Sequence, residues 1–152
     1  MEKTDRFILP ALAPLYAALE TFSWPLIRIM FGFFFVPHGC QKLFGWFGGN
    51  VAGTIKFMEG IGLAPAAFWA YYVGTLELVG GLLLVVGLFT RPVAALMAGF
   101  MFVGTFFAHW QFGYFWTARG FAVPLLLLVL SLAFVIRGGG EYSLDRKIGR
   151  EI

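Results

Sequence analysis

A chain of 152 residues with 60% hydrophobic residues, 12% charged residues and a mean hydropathy of +0.83 carries too few polar groups to coat a water-soluble ball. Those figures exclude a soluble enzyme, a disordered tail and a nucleic-acid binder, because the formal net charge of +3 arises from Lys and Arg scattered along the edges of apolar runs. The single cysteine, Cys40, excludes an intramolecular disulfide and a multi-cysteine metal cluster.

Residues 1–21 mix Glu2, Asp5 and Glu20 with Pro10 and Pro14, which is not the pattern of a cleaved signal peptide, and the reading is an interfacial segment on the membrane surface. A membrane-crossing helix needs roughly 20 mostly apolar residues to cover about 30 Å of hydrocarbon. Four stretches answer to this, at about 22–44, 65–89, 92–110 and 121–136. Each is continuously apolar instead of alternating, so helices are expected and a barrel is not. The expected fold is an all-α membrane protein in which residues 22–137 form a four-transmembrane-helix bundle.

The connections carry their own signals. In the long loop 45–64, Asn50 is placed to cap a helix over Val51–Gly60, with Ile55, Phe57 and Met58 dipping into the interface. A tight turn at Thr90, Arg91 and Pro92 joins the second and third spans, and an aromatic link over 111–120 joins the third and fourth. Residues 138–152 read as a basic tail in which Ser143 caps a short helix, turning Tyr142, Leu144 and Ile148 to the membrane and Arg146, Lys147 and Arg150 to anionic lipid or a partner.

Cytoplasmic loops are enriched in Lys and Arg. With the N-terminus inside, that side collects Lys3, Arg6, Arg28, Arg91, Arg137, Arg146, Lys147 and Arg150, and the outside keeps Lys42, Lys56 and Arg119. Both termini are therefore expected to be cytoplasmic, with Trp46, Trp110 and Trp116 in the outer aromatic belt.

Polar side chains within the spans are the sharpest residue-level signal: Arg28, His38, Gln41, Lys42, Glu77 and His109. Insertion scales charge about 3 kcal/mol for an ionised group at the bilayer centre, so such groups face the bundle interior and find partners. Counting from Trp24 and Arg91 at 1.5 Å per residue, His38 and Glu77 both lie roughly 21 Å from the inner face, and Lys42 and His109 roughly 27 Å. They form one cluster in the outer third, which Arg119 can approach from the mouth.

Arg28 lies near the inner edge, where its side chain is expected to snorkel to the interface. Gly74 and Gly81 share the stripe of Glu77 and permit close helix approach. Arg28, Gly32, Phe35, Gly39 and Lys42 form a stripe of the first span, which Pro37 is expected to kink just before His38.

The residues leave several uses open. Glu77 is either a helix-joining buried carboxyl or a proton carrier. The histidines are able to hold a metal with Glu77 or a haem between helices, but two histidines without further ligand spacing do not specify such a site, and no metal is expected. Lys42 reads as an outer-interface anchor, Cys40 as a small apolar filler, and the Phe31, Phe34 and Phe35 stripe as packing surface or an apolar groove.

The stretches RIMFGFFFVPHGCQKLFGWFGG from Arg28, ELVGGLLLVVGLFTRP from Glu77, HWQFGYFWT from His109 and GGGEYSLDR from Gly138 resemble the DoxX family of small bacterial inner-membrane proteins. The resemblance covers nearly the whole chain from about Pro14. Its family positions here are Arg28, His38, Gly39, Gln41, Lys42, Glu77, His109 and Trp110. DoxX-like and DoxD-like proteins include subunits of thiosulfate:quinone oxidoreductase and members associated with quinone or oxidative stress, so the resemblance implies a link to membrane redox chemistry. The chain departs from the pattern at Gln111 and Phe112, where relatives often read Pro-Asn. It also has Ala122 near a position that is often acidic, which leaves Glu77 as the only acidic residue within a span.

The leading expectation is a quinone-associated subunit of a membrane redox system in the bacterial inner membrane. Glu77 and His38 would move protons, and His38, Gln41, Lys42, Glu77, His109 and Trp110 would bind the ligand. No motif for a flavin, iron–sulfur cluster or covalent haem is recognisable, so no intrinsic cofactor is expected, and electrons would come from a partner subunit. A non-catalytic scaffold in a larger membrane complex is the alternative. A small-solute transporter ranks third, because only Pro37 interrupts a span, whereas transporters pair such breaks between repeats.

Overall fold

The computed structural model describes residues 7–149. Lys3, Arg6 and Arg150 of the charge asymmetry, and Glu2 and Asp5 of the N-terminal segment, lie outside the described residues. The chain is all-helical: α1 (Ala13–Phe44), α2 (Val51–Gly60), α3 (Ala66–Val86) and α4 (Thr90–Phe112), α5 (Ala122–Arg137) and the short α6 (Leu144–Ile148), with no strand among the described residues. By length and apolar composition α1, α3 and α4 are long enough to cross a membrane, and α5 is a shorter apolar helix of 16 residues.

Residues 13–21 are not a separate element. They are the first turns of α1, whose 32 residues rise about 48 Å, more than the hydrocarbon requires. Helical hydrogen bonding runs through Pro37 without a break to Phe44. Proline removes one backbone donor and crowds the preceding turn, but Gly32 and Gly39 clamp α1 against α3 on either side of it.

An added Cβ at Gly32 would lie 2.5 Å from the Gly81 carbonyl oxygen, and one at Gly39 would lie 2.5 Å from the Leu78 nitrogen and 2.8 Å from the Gly74 oxygen. Small residues on both partners thus bring the two backbones together, antiparallel, as membrane helix pairs require. The stripe stays in phase through the proline, with Arg28, Gly32, Phe35 and Gly39 buried and Lys42 half-buried.

The other extensive pair is α4 with α5. The two pairs close into a bundle around Phe31, Phe35, Leu84, Ala94, Met97 and Phe134. Contact between α1 and α5 includes the tilted rings of Trp24 and Phe31 on Phe134, at 4.8 and 5.1 Å between centroids.

The end of the bundle at Trp24 and Arg28 is closed by the chain's own tail. Arg28 is 1% exposed and does not snorkel: its Nη1 donates to the Gly139 carbonyl at 2.6 Å and its Nη2 to the Tyr142 carbonyl at 3.1 Å. Trp24 Nε1 donates to the Gly138 carbonyl at 3.0 Å, and Arg137 lies over the Trp24 ring at 4.7 Å.

These contacts need the tail to turn sharply. Gly140, at φ +69°, supplies the left-handed backbone where a Cβ would also meet Trp24 Cδ1 at 2.5 Å. Ser143 then caps α6 as expected, its hydroxyl accepting from the Arg146 amide at 3.2 Å. Asp145 turns inward instead of toward water. Its carboxylate accepts from the Phe89 and Thr90 amides at 2.7 and 2.9 Å, which caps the start of α4. The turn into α4 thus lies just before Thr90, with Gly87 and Phe89 at positive φ, and Arg91 reaches across to the Val135 and Ile136 carbonyls.

Candidate functional site

Toward the opposite end the helix pairs enclose a cavity of about 810 Å³, within the range of small-molecule sites. Its walls are apolar and aromatic: Phe34 and Phe35 from α1, Trp69 and Tyr72 from α3, Phe100 from α4 and Leu127 from α5. Into it project Lys42, Glu77, His38 and His109, the charged and imidazole groups of the lining. Phe34, 41% exposed, and Leu96, 49% exposed, line the cavity and also face outward, so its apolar wall is continuous with the lipid-facing surface.

Glu77 lies in a single π-helical turn, Leu76–Gly80, within α3, and His109 ends a second one, Gly104–His109, within α4. Such widened turns re-aim a side chain by one residue and recur at functional sites. Glu77 is buried, and its two carboxylate oxygens accept from Lys42 Nζ at 2.8 and 2.7 Å. Lys42 is therefore not an interface anchor. The depth ruler put it roughly 6 Å outside Glu77, a gap that the reach of its four-carbon stem spans.

His38 lies one turn before Lys42, opens to the cavity and carries its ring 5.1 Å from Phe34. His109 is anchored from outside the helices: Nδ1 lies 2.7 Å from the Arg119 carbonyl oxygen in the aromatic link. A carbonyl only accepts, so Nδ1 carries the proton and, in the neutral ring, Nε2 keeps its lone pair. Arg119 thus contributes its backbone to the site.

The structure brings together four of the six expected ligand residues, His38, Lys42, Glu77 and His109, and places the other two outside the lining. Gln41 packs against Gly49, and Trp110 stacks on Phe121 at 4.4 Å. Cys40 is buried, as a filler would be.

The cover of the cavity was not expected. Asn50 does cap α2, its side chain accepting from the Gly53 amide at 2.6 Å, but Ile55 and Met58 pack onto Ala70 and Val73 of α3 instead of dipping into lipid. Phe57, Met58, Ile61 and Leu63 then line the cavity. On α3, the spacing of Trp69, Val73 and Glu77 by four residues is the signal that marks this wall.

Comparison with known proteins places the chain among membrane proteins. The family model DoxX matches residues 23–110, a range containing all four cavity groups. The chain is 31% identical over 133 residues to the "Inner membrane protein YqjF" of Escherichia coli (strain K12), covering 88% of this chain and 97% of that one. It is 41% identical over 73 residues to the "Putative oxidoreductase CatD" of Bacillus subtilis (strain 168), 48% of this chain and 49% of that one. An "Uncharacterized protein" of Haemophilus influenzae is 32% identical over 124 residues, 80% of this chain and 87% of that one. No solved structure matches.

Proposed function

The chain belongs to the DoxX family of multi-pass bacterial inner-membrane proteins, and from that premise we propose that it is the quinone-binding membrane subunit of a redox system, with α5 as a fourth span and both termini in the cytoplasm. The observation that carries this reading is the pairing of an apolar, lipid-continuous cavity with a small set of ionisable groups at one end. A quinone is an apolar tail on a polar ring, and the cavity offers a matching surface for each part.

Lys42 has three N–H bonds and uses two on Glu77, so one remains for a ring oxygen. His38 opens to the same space and is able to pass a proton, and the ion pair holds Glu77 at Lys42. Reduction of the ring takes up two electrons and two protons. The protons would pass through His38 and the Lys42–Glu77 pair, and the electrons would come from a partner protein, consistent with the oxidoreductase in the name of the Bacillus relative.

The test is purification in nanodiscs from the native membrane, with mass spectrometry of extracted lipid and identification of co-eluting proteins. Stoichiometric quinone is expected. In Glu77→Gln, which weakens the hold on Lys42, quinone content is expected to fall about tenfold, corresponding to about 1.4 kcal/mol, with protein abundance little changed. A quinone-free native preparation, or an equal fall in abundance, refutes the reading. The exposed aromatic rim of Trp46, Phe47, Phe115 and Trp116 favours a second, scaffolding reading, which a quinone-free protein held in a stable complex would support.

The orientation rests on charge at the two ends. Among described residues, Arg28, Arg91, Arg137, Arg146 and Lys147 belong to the end that the tail closes, and Lys42, Lys56 and Arg119 to the cavity end. In a Cys40→Ala background, Lys56→Cys is expected to react with a membrane-impermeant maleimide in intact spheroplasts, and Lys147→Cys only after lysis. The reverse pattern overturns the orientation.

A further inference from the structure

The cavity is not neutral between the oxidised and reduced forms of such a ligand. We infer that it selects the hydroquinone, and that the discriminating atom is Nε2 of His109. This rests on the reading of the cavity as a quinone site and goes beyond it by naming the redox form that binds and the residue that chooses.

Hydrogen-bond bookkeeping carries the inference. A quinone oxygen only accepts, whereas a hydroquinone oxygen donates as well. Lys42 retains one N–H after its two bonds to Glu77, and this N–H serves an oxygen of either form. His38, with its ring open to the cavity, is able to present either a donor or an acceptor and so does not discriminate.

His109 is different because its tautomer is set by a neighbour. The Arg119 carbonyl, 2.7 Å from Nδ1, fixes the proton there and leaves Nε2 as an acceptor on a cavity-lining ring. A hydroquinone O–H satisfies that lone pair. A quinone carbonyl brings a second lone pair against it, and no hydrogen bond forms between the two.

The expected difference is about tenfold in affinity, the upper end of the net worth of one hydrogen bond. The carbonyl that sets the tautomer belongs to the aromatic link, where Arg119 adopts a left-handed backbone at φ +63° and Gly120 closes the turn by donating its amide to the Phe115 carbonyl at 2.9 Å. The link therefore acts on ligand choice without touching the ligand.

The experiment uses the full chain in nanodiscs, stripped of endogenous quinone, and a short-tailed benzoquinone with its hydroquinone held reduced under anaerobic conditions. Binding is read from quenching of tryptophan fluorescence, since Trp69 and Trp116 line the cavity. The hydroquinone is expected to bind about tenfold more tightly. In His109→Asn, the side-chain amide still reaches the Arg119 carbonyl from the Nδ1 position but the Nε2 acceptor is gone, and the preference is expected to collapse.

Equal or tighter binding of the quinone by the native chain, or a preference that survives in His109→Asn, overturns the inference and leaves the cavity reading standing. Binding of neither form removes the cavity reading, and the inference falls with it. Because the variant protein is not guaranteed to fold, a second measurement uses native chain labelled with ¹⁵N at its two histidines. The His109 Nε2 resonance is expected to shift as an acceptor when hydroquinone is added and to stay in place with quinone; no shift with bound hydroquinone overturns the inference.

Discussion

Asp145→Ala is expected to remove a large share of the protein's stability, although residue 145 lies far from the cavity and in the C-terminal tail. The carboxylate is the acceptor for the Phe89 and Thr90 amides, and its own amide donates to the Gly87 carbonyl at 2.9 Å. Asp145 is 5% exposed, so water does not replace the lost oxygens. Each buried donor left bare costs about 1–3 kcal/mol, and the start of α4 loses its cap and its favourable charge.

Arg28 makes the loss larger. Its guanidinium is buried at the same end within Coulombic reach of Asp145, and removing a buried counter-charge is far costlier than never having had the pair. A total of about 3–5 kcal/mol is expected, against a usual reserve of about 5–15 kcal/mol. Asp145→Asn keeps one acceptor and should fall between native and alanine variants. The check is the monodisperse yield and thermal melt of the three proteins in one detergent. A melt for Asp145→Ala within a few degrees of native would show that the tail does not hold this end of the bundle.

That role of the tail shows where sequence reading stops. Hydropathy alone gives the helices, because a chain this apolar has few other places to put its backbone polar groups, and the glycine stripe on Gly74 and Gly81 correctly marks a close helix contact. That His38, Lys42, Glu77 and His109 gather around one space is equally readable, since rise per residue is fixed. What a ruler along the helix axis does not carry is rotation and side-chain reach. His38 and Glu77 share a level, yet it is Lys42, one turn further out, that reaches Glu77.

Other features depended on three-dimensional context in the same way. Nothing in the local sequence around Leu76 or Gly104 distinguishes a π-turn from an ordinary one. Pro37 is a strong local breaking signal, yet α1 runs through it to Phe44, packed on α3 at Gly32 and Gly39. The α2 helix was legible as a capped element, but not as a lid, because an apolar face suits lipid and protein alike. Asp145 was hidden for the opposite reason: an acidic residue in a charged tail reads as solvated until the turn it caps is in view.

The glycine contact leads to the second large effect. Gly39→Ala, a change of one methyl group, is expected to be severely destabilising, and Gly39→Leu to abolish accumulation. The added carbon would meet backbone atoms of Leu78 and Gly74 and the Leu78 Cβ at 2.7 Å, and backbone has no rotamer by which to move aside. Overpacking into yielding side chains costs about 1–3 kcal/mol; here the two helices must separate, so the upper end is expected for alanine.

Gly99→Ala is the matched control. It lies on α4, a Cβ there meets nothing within 4 Å, and replacing an interior helical glycine by alanine is favourable by about 0.5–1 kcal/mol. The melting temperature should therefore fall for Gly39→Ala and hold or rise for Gly99→Ala. The separation forced at Gly39 also acts on the site. Lys42 is one turn along α1 from Gly39, and Glu77 is one turn along α3 from Gly74, so pushing the helices apart lengthens the Lys42–Glu77 contact directly. Any Gly39→Ala protein that survives purification is expected to have lost ligand retention as well as stability; Gly99→Ala is the control for stability alone, because Gly99 lines the cavity. Equal melts for the two alanine variants would mean that the α1–α3 contact is looser than its backbone distances require.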